Sequence, residues 1–159
     1  MAIVTGHYDG SRDRALETIE ALAEAHDGPV QAVDARYLVD RDHLERAVAL
    51  ADRERAAGEA IARDPAVEIL LYAAGRRQID RALEMGLSRT AHDVAIVTPG
   101  SAVERLRSAP WLDPGPVFET VDRERVREYF EITDRELAAT RGDLADLVRE
   151  RVALLVVDR

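Results

Sequence analysis

What most limits the possible folds of this chain is the shortness of its apolar runs and the helical patterns between them. Residues 2–8 (AIVTGHY), 30–34 (VQAVD), 67–74 (VEILLYAA) and 94–99 (VAIVTP) read as four strands. None approaches the roughly 20 apolar residues of a membrane helix. Ser11 opens a helical pattern as a candidate N-cap, with Leu16, Ile19, Leu22 and Ala23 on one face. Asp40 or Asp42 opens another, with Leu44, Ala47, Val48 and Ala51, and Gly58 breaks or bends it. A third face follows Gly75, marked by Ile79, Ala82, Leu83 and Gly86, and a fourth follows Gly100, marked by Val103 and Leu106. Two short helices are expected over 122–130 and 133–140. Thr133 and Glu136 form a capping-box pattern at the second. Leu144, Leu147, Val148 and Val152 mark the last helix, and ALLVV (153–157) either ends it or forms an edge strand. Strands alternate with helices early and helices accumulate late. The expected class is α/β, with α+β the other option: a single small domain over 1–159, its mixed or antiparallel sheet covered by several helices.

Charge narrows the choice of partner less than it first suggests. The chain has 22 basic and 31 acidic residues, a net charge of −9. Every basic residue is Arg; Lys and Asn are absent. An acidic chain is a poor start for non-specific nucleic-acid binding, which phosphate neutralisation drives. Growth in concentrated salt, however, favours acidic, lysine-poor surfaces, because salt screens their self-repulsion. A salt-loving source with a GC-rich genome accounts for both trends, and the acidity then says little against an RNA partner. There is no cysteine, so thiolate metal sites and disulfides are out. The N-terminal MAIVTGHYDG does not read as an export signal, so the cytoplasm is the expected compartment, with no membrane partner.

Few residues suggest catalysis. G-x-G-x-x-G is missing, and a chain without Lys cannot supply G-x-x-x-x-G-K-[ST]. TGHYDGS, after the first strand, reads as a turn plus N-cap, because no phosphate-anchoring charge stands beside it in sequence. His7, His26, His43 and His92 are scattered without ligand spacing, and His43 reads as a surface or boundary residue. Ser101 reads as a helix cap. Trp111 and Phe118, in the proline-dense loop 109–117 and just beyond it, fit a core anchor better than an exposed one. No catalytic residue, metal site or cofactor is expected.

AAGRRQIDRAL, residues 73–83, is the exception. A glycine precedes two arginines and a glutamine at an expected helix start. On a helix wheel Arg76, Arg77, Asp80, Arg81 and Glu84 lie opposite the apolar face, with Gln78 at the margin. One reading is a surface Arg/Asp network, which needs no function and is the simpler one on the residues alone. The other is an anion site built from free backbone N–H groups, the helix dipole and two guanidinium forks.

The longer stretch EILLYAAGRRQIDRALEMGL resembles the signature of the small regulatory subunit of the KEOPS complex, the TPRKB-like kinase-binding family, through Glu68, Leu70, Leu71, Tyr72, Gly75, Arg77, Gln78, Ile79, Ala82 and Gly86. The upstream VQAVDARYLVDRDHLERAVALA, the strand VAIVTP and the late FEITDREL are similar to the family's corresponding segments. The resemblance implies a small α/β, non-catalytic subunit of an assembly that places threonylcarbamoyl on tRNA adenosine. It implies binding to a kinase-like ATPase subunit and to the 3′ CCA end of tRNA. Carried over to this chain, it makes Gly75, Arg76, Arg77, Gln78 and Ile79 the candidate tRNA-binding residues. The kinase-binding surface is not specified; exposed apolar positions in 43–52 and 144–155 are the candidates. A small enzyme that binds nucleotide phosphate at 5–11 or 75–79, and a purely structural adaptor, remain the alternatives.

Overall fold

The computed structural model describes residues 1–157. Four strands, β1 (Ala2–Tyr8), β2 (Gln31–Asp34), β3 (Asp93–Thr98) and β4 (Leu112–Pro114), form one sheet in the order β2-β3-β1-β4, and every pairing is antiparallel. The α+β option, with an antiparallel sheet, is therefore the one adopted. β1 and β3 pair from Ala2 opposite Thr98 to His7 opposite Asp93.

Side-chain alternation divides the strands between two cores. Val4, Tyr8, Ala32, Val94 and Ile96 face one side, under α1 (Arg12–Ala25). Val33, Ala95 and Val97 face the other, under α2 (Arg41–Ala56) and α3 (Pro65–Ala74). The short α4 (Ile79–Leu83) follows α3, and α5 (Val103–Arg107) joins the α1 side through Leu106. α6 (Arg123–Tyr129), α7 (Asp134–Ala139) and α8 (Leu144–Val157) complete the α2 side through Val126, Leu137 and Val148. β3 is central and covered on both faces, and Val94 to Thr98 are all buried. That is why its sequence is continuously apolar instead of alternating.

The expected strand at 67–74 is not formed. These residues belong to α3, and everything from Glu68 to Ala74 is buried. α3 lies among α2, α4, α8 and β2. A helix enclosed on every side has no polar face, so it loses the period that distinguishes it from a buried strand. Its ends carry the information instead. Asp64 Oδ1 accepts the Ala66 N–H (2.9 Å), and Pro65 occupies the first turn. At the other end the Gly75 N–H donates to Tyr72 O and the Arg76 N–H to Leu71 O, both at 3.1 Å, a Schellman ending. The buried Glu68 accepts from the Ile61 N–H (2.9 Å), the Ala62 N–H (3.2 Å) and Arg55 (3.2 Å), and so fastens the crossover from α2 to α3. Its place in the motif is thereby explained by folding.

His43, expected at the surface, is fully buried on α2. Its Nδ1 accepts the Val39 N–H (3.2 Å), which leaves Nε2 to donate to Ala73 O (2.7 Å) on α3. Burial keeps the ring neutral, its pKa lowered to about 4. Ser11 and Ser101 stand at helix starts, but neither hydroxyl makes a cap bond. Asp40 caps α2 by accepting the His43 N–H (2.8 Å), Thr133 caps α7 (3.1 Å), and α2 ends ahead of Gly58. Trp111 sits in the core, donating from Nε1 to Thr18 Oγ1 (3.1 Å), and Phe118 packs partly buried against the opposite core. Residues 153–157 continue α8 as helix.

Candidate functional site

The turn from α3 to α4 separates the two neighbouring arginines. Gly75 adopts a left-handed conformation (φ +62°), and a Cβ added there would lie 2.9 Å from Arg151 O on α8. The chain then sends Arg76 inward. Its guanidinium donates to Tyr129 O (2.5 Å) at the end of α6, lies 5.2 Å from the Tyr129 ring centroid and approaches Glu131 at 3.7 Å. The Arg76 side chain retains only 20% of its exposure. Arg76 thus joins the α3 end to α6, which limits what it can offer a ligand.

Arg77 points the other way. It is exposed and has no hydrogen bond or ion pair among the described residues. Gln78 is also exposed and precedes α4 without capping it, so its side-chain amide is free. Ile79 and Leu83, expected on a core-facing side, are exposed by 47% and 52%; α4 is held to the core by Ala82 instead. α4 is one short turn, not a full amphipathic helix, so the wheel does not apply along its length. Among the described residues no Arg/Asp network forms around Asp80: Arg81 approaches Glu84 (3.5 Å) and Arg76 approaches Glu131.

The fold adds residues that local sequence does not connect. Tyr37 and Tyr129 meet edge to face with centroids 5.1 Å apart. Arg81 lies 5.5 Å from the Tyr129 centroid and Arg125 5.5 Å from that of Tyr37. With Glu84 and Glu128 these four line a cleft of about 180 Å³. Burial pushes the Tyr129 phenol up to about 12, so it keeps its proton and donates to Arg81 O (2.6 Å). The cleft combines guanidinium planes, tyrosine rings and carboxylates, and α4 carries it beside the Arg77–Gln78–Ile79 segment. Arg81 was visible as a charged neighbour on the wheel; Tyr37, Arg125 and Tyr129 lie some forty to fifty residues away and gave no local signal.

Free guanidinium and amide groups next to exposed aliphatic side chains suit recognition of another molecule. A family model described as kinase binding protein CGI-121 matches residues 14–155, nearly the whole chain. The chain belongs to the CGI-121 family of kinase-binding proteins. No curated protein matches it. Membership in CGI-121 points to a kinase as partner. The match runs from within α1 to within α8 and includes the α3–α4 turn.

Proposed function

We propose that this CGI-121 protein is a non-catalytic, cytoplasmic subunit of the KEOPS complex for tRNA threonylcarbamoyladenosine modification, folded as one domain over residues 1–159. It binds the kinase-like ATPase subunit and helps recruit tRNA through the 3′ CCA end. The observation that carries the RNA part is the turn Arg77–Gln78–Ile79, in which the Arg77 and Gln78 side chains have no hydrogen-bond partner among the described residues, beside the Tyr37–Tyr129 cleft. Gln78 can donate to and accept from a base edge, Arg77 can stack on a base or clamp a phosphate, and Ile79 offers apolar contact. Gly75 and Arg76 act by shaping the turn. The lysine-free, acidic composition suits a halophilic, archaeal source. In strong salt, counterion release supplies little affinity, so an unpaired end read through its bases fits better than a duplex read through its backbone.

For the kinase-like partner, the end of α8 is the better of the two candidate surfaces. Leu44, Ala47, Val48 and Ala51 of α2 are buried, whereas Ala153, Leu154 and Val157 form an exposed apolar stripe on α8, Val157 by 74%. Two measurements test the reading at native salt. The isolated chain should bind intact tRNA well above tRNA trimmed of its CCA end, and equal binding defeats the RNA part. The wild-type chain should co-purify with the kinase-like subunit and the Leu154→Glu variant should not. Failure of the wild type to co-purify defeats the partner part.

A further inference from the structure

The Tyr37–Tyr129 cleft is assembled from three separate segments. Tyr37 ends the single turn that follows β2, Arg81 and Glu84 come from α4 and its C-terminal cap, and Arg125, Glu128 and Tyr129 come from α6. The bond from the Tyr129 hydroxyl to Arg81 O (2.6 Å) ties α6 to α4, so the lining is held in place before any ligand arrives.

Charge, shape and hydrogen-bonding sense together select a ligand. The two guanidinium groups and the two carboxylates cancel, so the cleft does not favour an anion, and a phosphate there would face Glu84 and Glu128. A planar, uncharged group fits better. Arg76 and Arg81 already lie 5.2 and 5.5 Å from the Tyr129 centroid, and Tyr37 and Phe130 meet the same ring edge to face. The Tyr129 ring is thus occupied, and the partly exposed Arg81, Arg125 and Tyr37 are the flat groups left for a ring to lie against. At about 180 Å³ the cleft is smaller than the pockets that enclose drug-sized molecules, and it suits one ring system. Its acceptors are carboxylates. Glu128 is exposed and its carboxylate has no hydrogen bond or ion pair among the described residues, while Glu84 reaches only Arg81, at 3.5 Å. Its donors are Arg81, Arg125 and the Tyr37 hydroxyl, which has no hydrogen bond among the described residues.

We infer that this cleft takes one nucleobase bearing an exocyclic amino group. The base stacks on a guanidinium plane, its amino group donates to Glu84 or Glu128, and a neighbouring ring nitrogen accepts from one of the donors. Adenine and cytosine present that edge. Uracil puts a carbonyl oxygen where cytosine has its amino group, and a carboxylate repels it. The inference rests on the RNA-end reading of the adjoining turn and adds what is read there, since each base of a CCA end carries an amino group. The base can belong to an RNA end or to a free nucleoside; the recognition chemistry is the same.

The test is an amide-resolved NMR titration of the full chain at constant ionic strength. The probes are three single strands of equal length ending in CCA, CCC and UUU, with free cytidine and uridine beside them. Cytosine and uracil have nearly the same shape, so CCC against UUU isolates the amino group. The amides of Arg81, Glu84, Arg125 and Glu128 should shift, and CCA and CCC should bind roughly tenfold more tightly than UUU, the equivalent of one charge-assisted hydrogen bond. The double variant Glu84→Gln/Glu128→Gln, at two exposed positions, keeps the acceptors and adds donors, so it should bring CCC and UUU together. Cytidine binding while the strands do not identifies a free nucleoside and defeats only the RNA-end reading. Equal binding of CCC and UUU by the wild type, or a preference for CCC that survives in the double variant, overturns the inference and leaves the RNA-end reading standing. No saturable response to any probe defeats both.

Discussion

Two turns in this molecule invite the same first interpretation and have opposite constructions. At the α3–α4 turn two arginines are adjacent in sequence, yet the backbone separates them: Arg76 is fixed against Tyr129 and only Arg77 is free. At the β1–α1 turn no arginine pair stands out, yet the fold gathers Arg12, Arg14 and Arg89 around one cleft. Adjacency along the chain therefore misstates available charge in both directions. What decides it is which side chains the neighbouring elements capture: α6 captures one at the first turn, while at the second Arg12 reaches only the Leu87 carbonyl and none of the three forms an ion pair among the described residues.

The largest expected contrast lies in the glycines. Gly75 and Gly10 both have positive φ, +62° and +90°. A Cβ at Gly75 meets the α8 backbone at 2.9 Å, whereas at Gly10 the nearest atom is Arg89 O at 3.8 Å. Gly75→Ala should cost about 3 kcal/mol, combining left-handed strain with a backbone that must move. Gly10→Ala should cost about 1 kcal/mol, from strain alone. Urea denaturation of both variants checks this, and equal losses would mean that the α3–α8 approach is not a tight one.

Acid should separate the regions next, because only the α3 side hangs on a buried imidazole. The folded pKa of His43, about 4, lies below the ordinary value of 6.5. Between those values the unfolded chain takes up a proton that the folded chain refuses. The contribution of His43 is complete above pH 7 and is lost as pH falls toward 4, to a limit of about 3 kcal/mol. Stability measured across that range in the wild type and in His43→Gln should differ in slope, with the steeper fall in the wild type. Parallel curves would place the ring in contact with solvent.

How much of this was legible follows from where each signal resides. β1, β2, β3 and α1 declared themselves by local patterns, and Thr133 marks a helix start that the structure keeps. α3 was misread because a wholly enclosed helix and an enclosed strand share one composition, and the stronger clue, Asp64-Pro65 with Gly75, lay at its ends. His43 looked peripheral because its partners, Val39 N–H and Ala73 O, are backbone groups, which no sequence pattern displays. In the candidate turn Arg77 and Gln78 were visible as polar residues, but the capture of Arg76 by Tyr129 required a contact 53 residues away. Arg89 reached the other turn in the same manner, by a loop returning beside β1.

The arginine pair itself should divide under mutation. Arg76→Ala removes a charge-assisted bond to Tyr129 O and a cation–π contact and should cost about 1–2 kcal/mol. Arg77→Ala touches nothing inside the molecule and should stay within about 0.5 kcal/mol of the wild type. Thermal unfolding of the two variants under one buffer decides it, and equal losses would contradict the separation of the pair.

The smallest effect is the most informative about Arg77. If its guanidinium clamps a phosphate, Arg77→Ala lowers the slope of log affinity against log salt by roughly one. If it stacks on an unpaired base, affinity falls at every salt concentration while the slope is unchanged, because no counterion is released at that contact. The proposed function favours the second outcome, since the chain has no lysine and its remaining guanidinium groups near this turn already lie against tyrosine rings. A salt series with a CCA-ended single strand, wild type against Arg77→Ala, distinguishes them: parallel lines displaced downward support base stacking, and converging lines assign Arg77 to the backbone.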